Sequence, residues 1–81
     1  MGSRVRRHRV RPVEAEEAMA DASQWPLEAS HLAEEDREAI LGLTVAGRVL
    51  VVVYTVRGDA YRVVTTRSAT RQEARLYRRR R

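Results

Sequence analysis

Residues 48–67 read RVLVVVYTVRGDAYRVVTTR, and the reading of this stretch decides the fold. Its first part, RVLVVVYTV at 48–56, is rich in β-branched residues and apolar on both faces, as a central strand should be. Arg57-Gly58-Asp59 then turns the chain, with Gly58 free to take positive φ. AYRVVTTR, 60–67, is the returning strand. Alternation sets Tyr61, Val63, Thr65 and Arg67 on one face of it, and Arg62, Val64 and Thr66 on the other.

Working outward, Ala46-Gly47 is a second turn, between two apolar runs. The residues before it are ambiguous. Leu32, Ala39, Ile40 and Leu43 fit one face of a helix, while Glu38–Thr44 equally fits the first strand of a meander. Further upstream, Pro12 suits a first helical turn, and the acids at 14, 16 and 17 favour the positive end of the helix dipole. Ala15, Ala18, Met19 and Ala22 make a narrow apolar stripe, with Glu14, Glu17 and Asp21 on the other side. The spacing predicts a helix over about 12–22, ended by Trp25-Pro26. Downstream, Thr70 and Glu73 form a T-x-x-E capping box, so a last helix runs over about 71–79, anchored by Leu76 and Tyr77. The expected architecture is α+β: an N-terminal helix, three antiparallel strands and a C-terminal helix. A fourth strand follows if the basic segment 1–11 adds at the sheet edge. The expected domain is 12–79, with 80–81 as a basic end.

An 81-residue chain makes one domain with a thin core, burying only about 60% of the surface it exposes when unfolded. A stable partner chain would help it. Cysteine is absent, which excludes disulfides and thiolate metal sites. The longest apolar run, Val49–Tyr54, is far too short to span a bilayer, and no signal-type apolar segment follows the basic N-terminus. The expectation is a soluble, cytoplasmic protein with no membrane contact.

All sixteen basic residues are arginine, and the charge is segregated. Residues 1–11 carry five arginines and no acid, and residues 12–38 carry nine acids against Arg37 alone. Residues 39–81 carry ten arginines against Asp59 and Glu73. A half this basic points to nucleic acid or an acidic protein partner.

No metal or cofactor is expected, because His8 and His31 stand far apart with no cysteine to support them. The arginines are the better candidates. Arg67 sits where strand meets helix, so its guanidinium and the N–H groups that open the helix would frame a phosphate-sized site. Arg71, Arg75 and Arg78 continue the charge as a stripe on one helix face. Tyr54, Tyr61 and Tyr77 are stacking candidates as well as ordinary amphipathic core residues. From residues alone the chain is a small basic α+β domain for RNA, DNA or an acidic partner, either enzyme or binder.

LGLTVAGRVLVVVYTVRGDAYRVVTTRSATRQEARLY, 41–77, resembles the C-terminal half of the BrnT toxins of bacterial toxin–antitoxin pairs. The matching positions are Gly42, Thr44, Gly47-Arg48, Leu50, Tyr54-Thr55, Arg57-Gly58, Arg62, Arg67, Ala69-Thr70, Glu73 and Tyr77. His8, Val10 and Pro12, followed by Glu16-Glu17-Ala18, resemble the family's H-G-V segment and first helix, and Arg37 resembles the arginine before the first of these strands. The resemblance spans roughly residues 7–79 and favours a strand at about 38–44.

It implies a RelE-like fold and a metal-independent endoribonuclease that cleaves RNA, with fixed cations meeting transition-state charge. The implied catalytic set is Arg67, then Arg62, Arg48 and Arg37, with His8 as an acid or base. Arg57, Arg71, Arg75, Arg78 and Tyr77 would contact RNA, Tyr77 doubling as a structural anchor. The implied partner is a ribbon-helix-helix antitoxin of the BrnA kind, which alone would contact DNA, in a hetero-oligomer or beside a toxin homodimer. The chain departs from the family pattern where the first strand is missing or replaced by MGSRVRR, where Arg9 replaces a glycine and where Ala74 follows Glu73. These departures sustain an alternative: a catalytically inactive relative that binds nucleic acid or an antitoxin-like partner without cutting.

Overall fold

The computed structural model describes residues 10–27 and 37–79. The fold is α+β, as expected, with helix α1 (Pro12–Met19), strands β1 (Trp25–Leu27), β2 (Arg37–Leu43), β3 (Val49–Arg57) and β4 (Ala60–Ser68), and helix α2 (Arg71–Arg79). The strands form one antiparallel sheet in chain order, β1-β2-β3-β4. Both expected turns are present, with φ of 94° at Gly47 and 62° at Gly58. A single glycine at positive φ, opening the two-residue loop between β3 and β4, suits a hairpin turn whose twist matches its strands.

The helices cover opposite faces of the sheet, because β2 and β3 are apolar on both. Ile40, Leu50 and Val52 pack with Ala18 of α1 on one face. Ala39, Leu41, Val49 and Val51 pack with Tyr77 of α2 on the other. α1 lies close because its contact residue is small and the sheet answers with a glycine. A Cβ built on Gly42 would stand 2.3 Å from the Ala18 carbonyl oxygen.

The three acids read as the outer side of the first helix face inward. Glu14 is buried and accepts from the Arg11 N–H and from the Arg48 guanidinium. Glu17 accepts from the Val45 N–H at 3.0 Å, and Asp21 from the Leu43 N–H at 2.9 Å. These donors lie at the end of β2 and in the β2–β3 turn, and carboxylates on α1 and just beyond its end satisfy them. Asp21 also accepts from the Tyr77 hydroxyl, so one carboxylate joins the α1 layer, the end of β2 and α2.

Two further expectations are corrected. A strand at Trp25–Leu27 pairs with Leu41–Ala39, where Trp25-Pro26 read only as a helix stop, while the basic segment expected at a sheet edge lies, but for residues 10 and 11, outside the described residues. Proline is tolerated there because, among the described residues, the strand sits at the sheet edge. The second correction concerns β4, which carries a β-bulge. Val53 pairs with Thr65 and Tyr54 with Val63, so Val64 is the extra residue. One unpaired residue reverses the alternation beyond it. Arg62, opposite Thr55, therefore shares a face with Arg67, opposite Val51, instead of pointing away from it.

Candidate nucleic-acid interface

The face that carries α2 also gathers cations, and the register shows how. Arg37 stands opposite Thr55, and Thr55 opposite Arg62, so an arginine lies at each end of a row crossing three strands. With strands about 4.8 Å apart, the two backbones are separated by roughly 10 Å. Arg67 pairs four residues further along β3, at Val51, which is roughly 13 Å away along the strand. Arg57 has the same parity as Thr55 and extends this face to the hairpin tip. Four arginines from β2, β3 and β4 thus share one side of the sheet. Arg71, Arg75 and Arg78 stand exposed on α2 beside it.

Arg67 is held by Glu73. Its two terminal nitrogens donate to the two carboxylate oxygens at 2.8 and 2.9 Å, and Nη1 also donates to the Ser68 carbonyl at 3.1 Å. The same carboxylate accepts from the Thr70 N–H at 2.9 Å, and the Thr70 hydroxyl accepts from the Glu73 N–H at 3.1 Å, completing the capping box. The hydrogen bonds from Arg67, with those from Thr70, hold the Glu73 carboxyl down at about 2. Reciprocally, Glu73 raises the pKa of Arg67. The place at the start of α2 that suits a phosphate is filled by a carboxylate of the chain itself.

Between Arg67 and the arginine row lies an open apolar groove of about 760 Å³. Its floor and walls come from Trp25 and Leu27 of β1, Val51 and Val53 of β3, and Leu76 of α2, with Arg67 at one end. Leu76 remains 41% exposed, although it faces this groove.

Of the expected site residues, the structure brings Arg37, Arg57, Arg62 and Arg67 together and leaves Arg48 elsewhere. Arg48 belongs to the α1 side, where Nη1 lies 3.1 Å from Glu14 Oε2 and Nη2 donates to Ser68 Oγ at 2.6 Å. The Glu14 pKa is lowered first by the hydrogen bond from the Arg11 backbone and then by Arg48. Tyr77 is 6% exposed, with its hydroxyl turned to Asp21, and sits in the packed layer beneath α2. Tyr54 and Tyr61 meet edge-on at 6.0 Å near the hairpin end. Burial and then Glu38, which accepts from the Tyr54 hydroxyl, raise the Tyr54 pKa. His8, His31 and the segment before residue 10 lie outside the described residues.

Sequence reasoning missed the pairing of Glu73 with Arg67, although the signal was present in a capping-box glutamate six residues after a strand-end arginine. It also missed the groove, whose β1 wall comes from a strand it did not assign. Among the described residues, no helix is long and apolar enough to cross a membrane.

A family model described as "Ribonuclease toxin, BrnT, of type II toxin-antitoxin system" matches residues 2–73. No curated protein and no solved structure matches the chain.

Proposed function

The chain belongs to the BrnT family of ribonuclease toxins of type II toxin–antitoxin systems, and from that premise we propose that it is a metal-independent endoribonuclease whose RNA site is the arginine face. The observation that supports this reading is the common face of Arg37, Arg62 and Arg67. Arg62 joins the other two only through the bulge at Val64.

In the proposed reaction the ribose 2′-oxygen loses its proton and attacks the adjacent phosphorus. The bond to the 5′-oxygen breaks, and that oxygen takes up a proton. The products are a cyclic 2′,3′-phosphate and a 5′-hydroxyl end. Charge grows on the non-bridging oxygens as the new bond forms, and guanidinium groups held in place stabilise it more than they stabilise the ground state. Arg67, Arg62 and Arg37 take this role. Arg57, Arg71, Arg75 and Arg78 track the backbone, where each neutralised phosphate adds affinity. His8 is the proposed proton carrier. Arg48 is assigned to holding α1 and Tyr77 to the core, so neither belongs to the proposed site.

The proposed partner is a ribbon-helix-helix antitoxin of the BrnA kind, bound in a hetero-oligomer in the cytoplasm and contacting DNA on behalf of both. The test is inducible expression in a bacterial host, comparing wild type with Arg67→Ala and sequencing RNA 5′ ends. Growth arrest with new ends that disappear in the variant supports the nuclease. Intact RNA from soluble, folded wild type supports the binding-only relative instead.

A further inference from the structure

The groove lies within the cationic face, yet its lining is mostly apolar. Trp25, Leu27, Val51, Val53 and Leu76 form most of it, and its polar side chains are Gln72 and the paired Arg67 and Glu73. Apart from Arg67, Gln72, Glu73 and the indole N–H of Trp25, its lining side chains offer no donor or acceptor to read a base edge. What fits is apolar side chains from a protein, for which about 760 Å³ is ample room.

Charge decides which protein. A second copy of this chain docking through the same patch would set Arg37, Arg57, Arg62 and Arg67 against their own counterparts, which opposes association. An acidic segment meets the reverse situation. Its apolar residues enter the groove while its carboxylates meet the arginines at the rim. Buried apolar anchors inside a charged rim are the usual anatomy of a tight protein contact.

We propose that this groove is the antitoxin's docking site, filled by an acidic amphipathic segment whose apolar side chains pack on Val53 and Leu76 and whose carboxylates pair with Arg62 and Arg37. Antitoxin and RNA then exclude each other by occupying one face. The proposal rests on the toxin–antitoxin reading, and the exclusion rests further on the RNA reading of the arginine face.

The test titrates the purified full chain with the antitoxin of its own pair and measures RNA cleavage in parallel, for wild type and Leu76→Arg. Leu76 is exposed and helical, and arginine keeps both helix propensity and the positive face. The expected result is antitoxin affinity weakened by about 10-fold or more, with RNA cleavage within about 2-fold of wild type. Wild-type antitoxin affinity in the variant overturns the proposal. Equal loss of antitoxin binding and RNA cleavage by a folded variant also overturns it, by making the groove part of the RNA site. A toxin dimer dissolved by the substitution overturns it in favour of a second copy. If wild type cuts no RNA but the variant still loses the antitoxin, the docking site stands and the nuclease reading falls. Leu76→Gln, with no added charge, repeats the comparison if the arginine variant does not fold.

Discussion

Arg67 and Glu73 are joined fork to fork, by contacts of 2.8 and 2.9 Å between a strand end and the first turn of the following helix. The pair fixes the direction of Arg67 and caps α2 with one carboxylate. A phosphate reaching Arg67 therefore meets a guanidinium already oriented by its own chain, and competes with Glu73 for the same donors.

This pairing has a pH signature. The folded Glu73 carboxyl titrates at about 2, below its ordinary 4.5. Its stabilisation is fully present above 4.5 and is lost as pH falls towards 2, because the unfolded chain takes up the proton first. Arg67 is half exposed, so screening reduces the contribution to about 1 kcal/mol. Glu73→Gln should therefore have a lower urea midpoint than wild type at neutral pH, and the gap should narrow below pH 4.5 and close as pH falls to about 2. A gap that persists at low pH would assign the effect to the helix cap.

Gly42→Ala should destabilise the domain, because the new methyl overlaps the Ala18 carbonyl, which is backbone and cannot rotate away. Overpacking of this kind costs about 1–3 kcal/mol. In a domain of this size, each kcal/mol lowers the melting temperature by about 4–8 °C. Thermal unfolding followed by circular dichroism measures it. An unchanged midpoint would mean that α1 can lift from the sheet at little cost.

Tyr77→Phe removes a donor from Asp21, the carboxylate that also holds the Leu43 N–H. A hydrogen bond to a charged group contributes about 1.5–3 kcal/mol. The variant should unfold at correspondingly lower urea while RNA cleavage, assayed where it is folded, stays within about 2-fold of wild type. A large fall in cleavage with stability intact would return Tyr77 to the RNA site.

Arg62→Ala and Arg48→Ala should fail in opposite ways. Arg62→Ala should weaken RNA binding and flatten the plot of log affinity against log salt by about 0.7 for one lost single-strand phosphate contact. Arg48→Ala should leave that slope alone and lower stability, because it leaves the buried Glu14 with the Arg11 N–H but without its paired cation. Fluorescence titration at several salt concentrations, beside urea unfolding, separates the two. Equal salt slopes for both variants and wild type would remove Arg62 from the interface.

Much of this was legible in the chain. The long alternating and β-branched runs at 48–67 marked a hairpin, and Thr70 with Glu73 marked the start of α2, because each signal is local. Trp25–Leu27 was not legible: three residues containing a proline show no period, and their pairing is set by β2, fourteen positions on. The inward acids of α1 were hidden for a related reason. Glu14, Glu17 and Asp21 look solvent-facing by apolar patterning, and only the fold reveals the backbone donors and the arginine that recruit them. The common face of Arg62 and Arg67 was misread because alternation was extrapolated through Val63-Val64, where nothing in the residue types announces a bulge.

That bulge bears on how the chain tolerates change in length. Arg57–Ala60 closes the hairpin, and Val53–Thr65 begins the regular ladder beyond it, with Val64 the residue left out of the pairing. Deleting Val64 would therefore preserve every cross-strand pair and bring the two halves of β4 into simple alternation, with Arg62 and Arg67 four positions apart. Most deletions inside a strand turn every later side chain to the opposite face; at this position the sheet carries a spare residue. Chains of different length can therefore present the same row of cations, and an alignment that counts residues without counting pairs will assign the arginines to opposite sides.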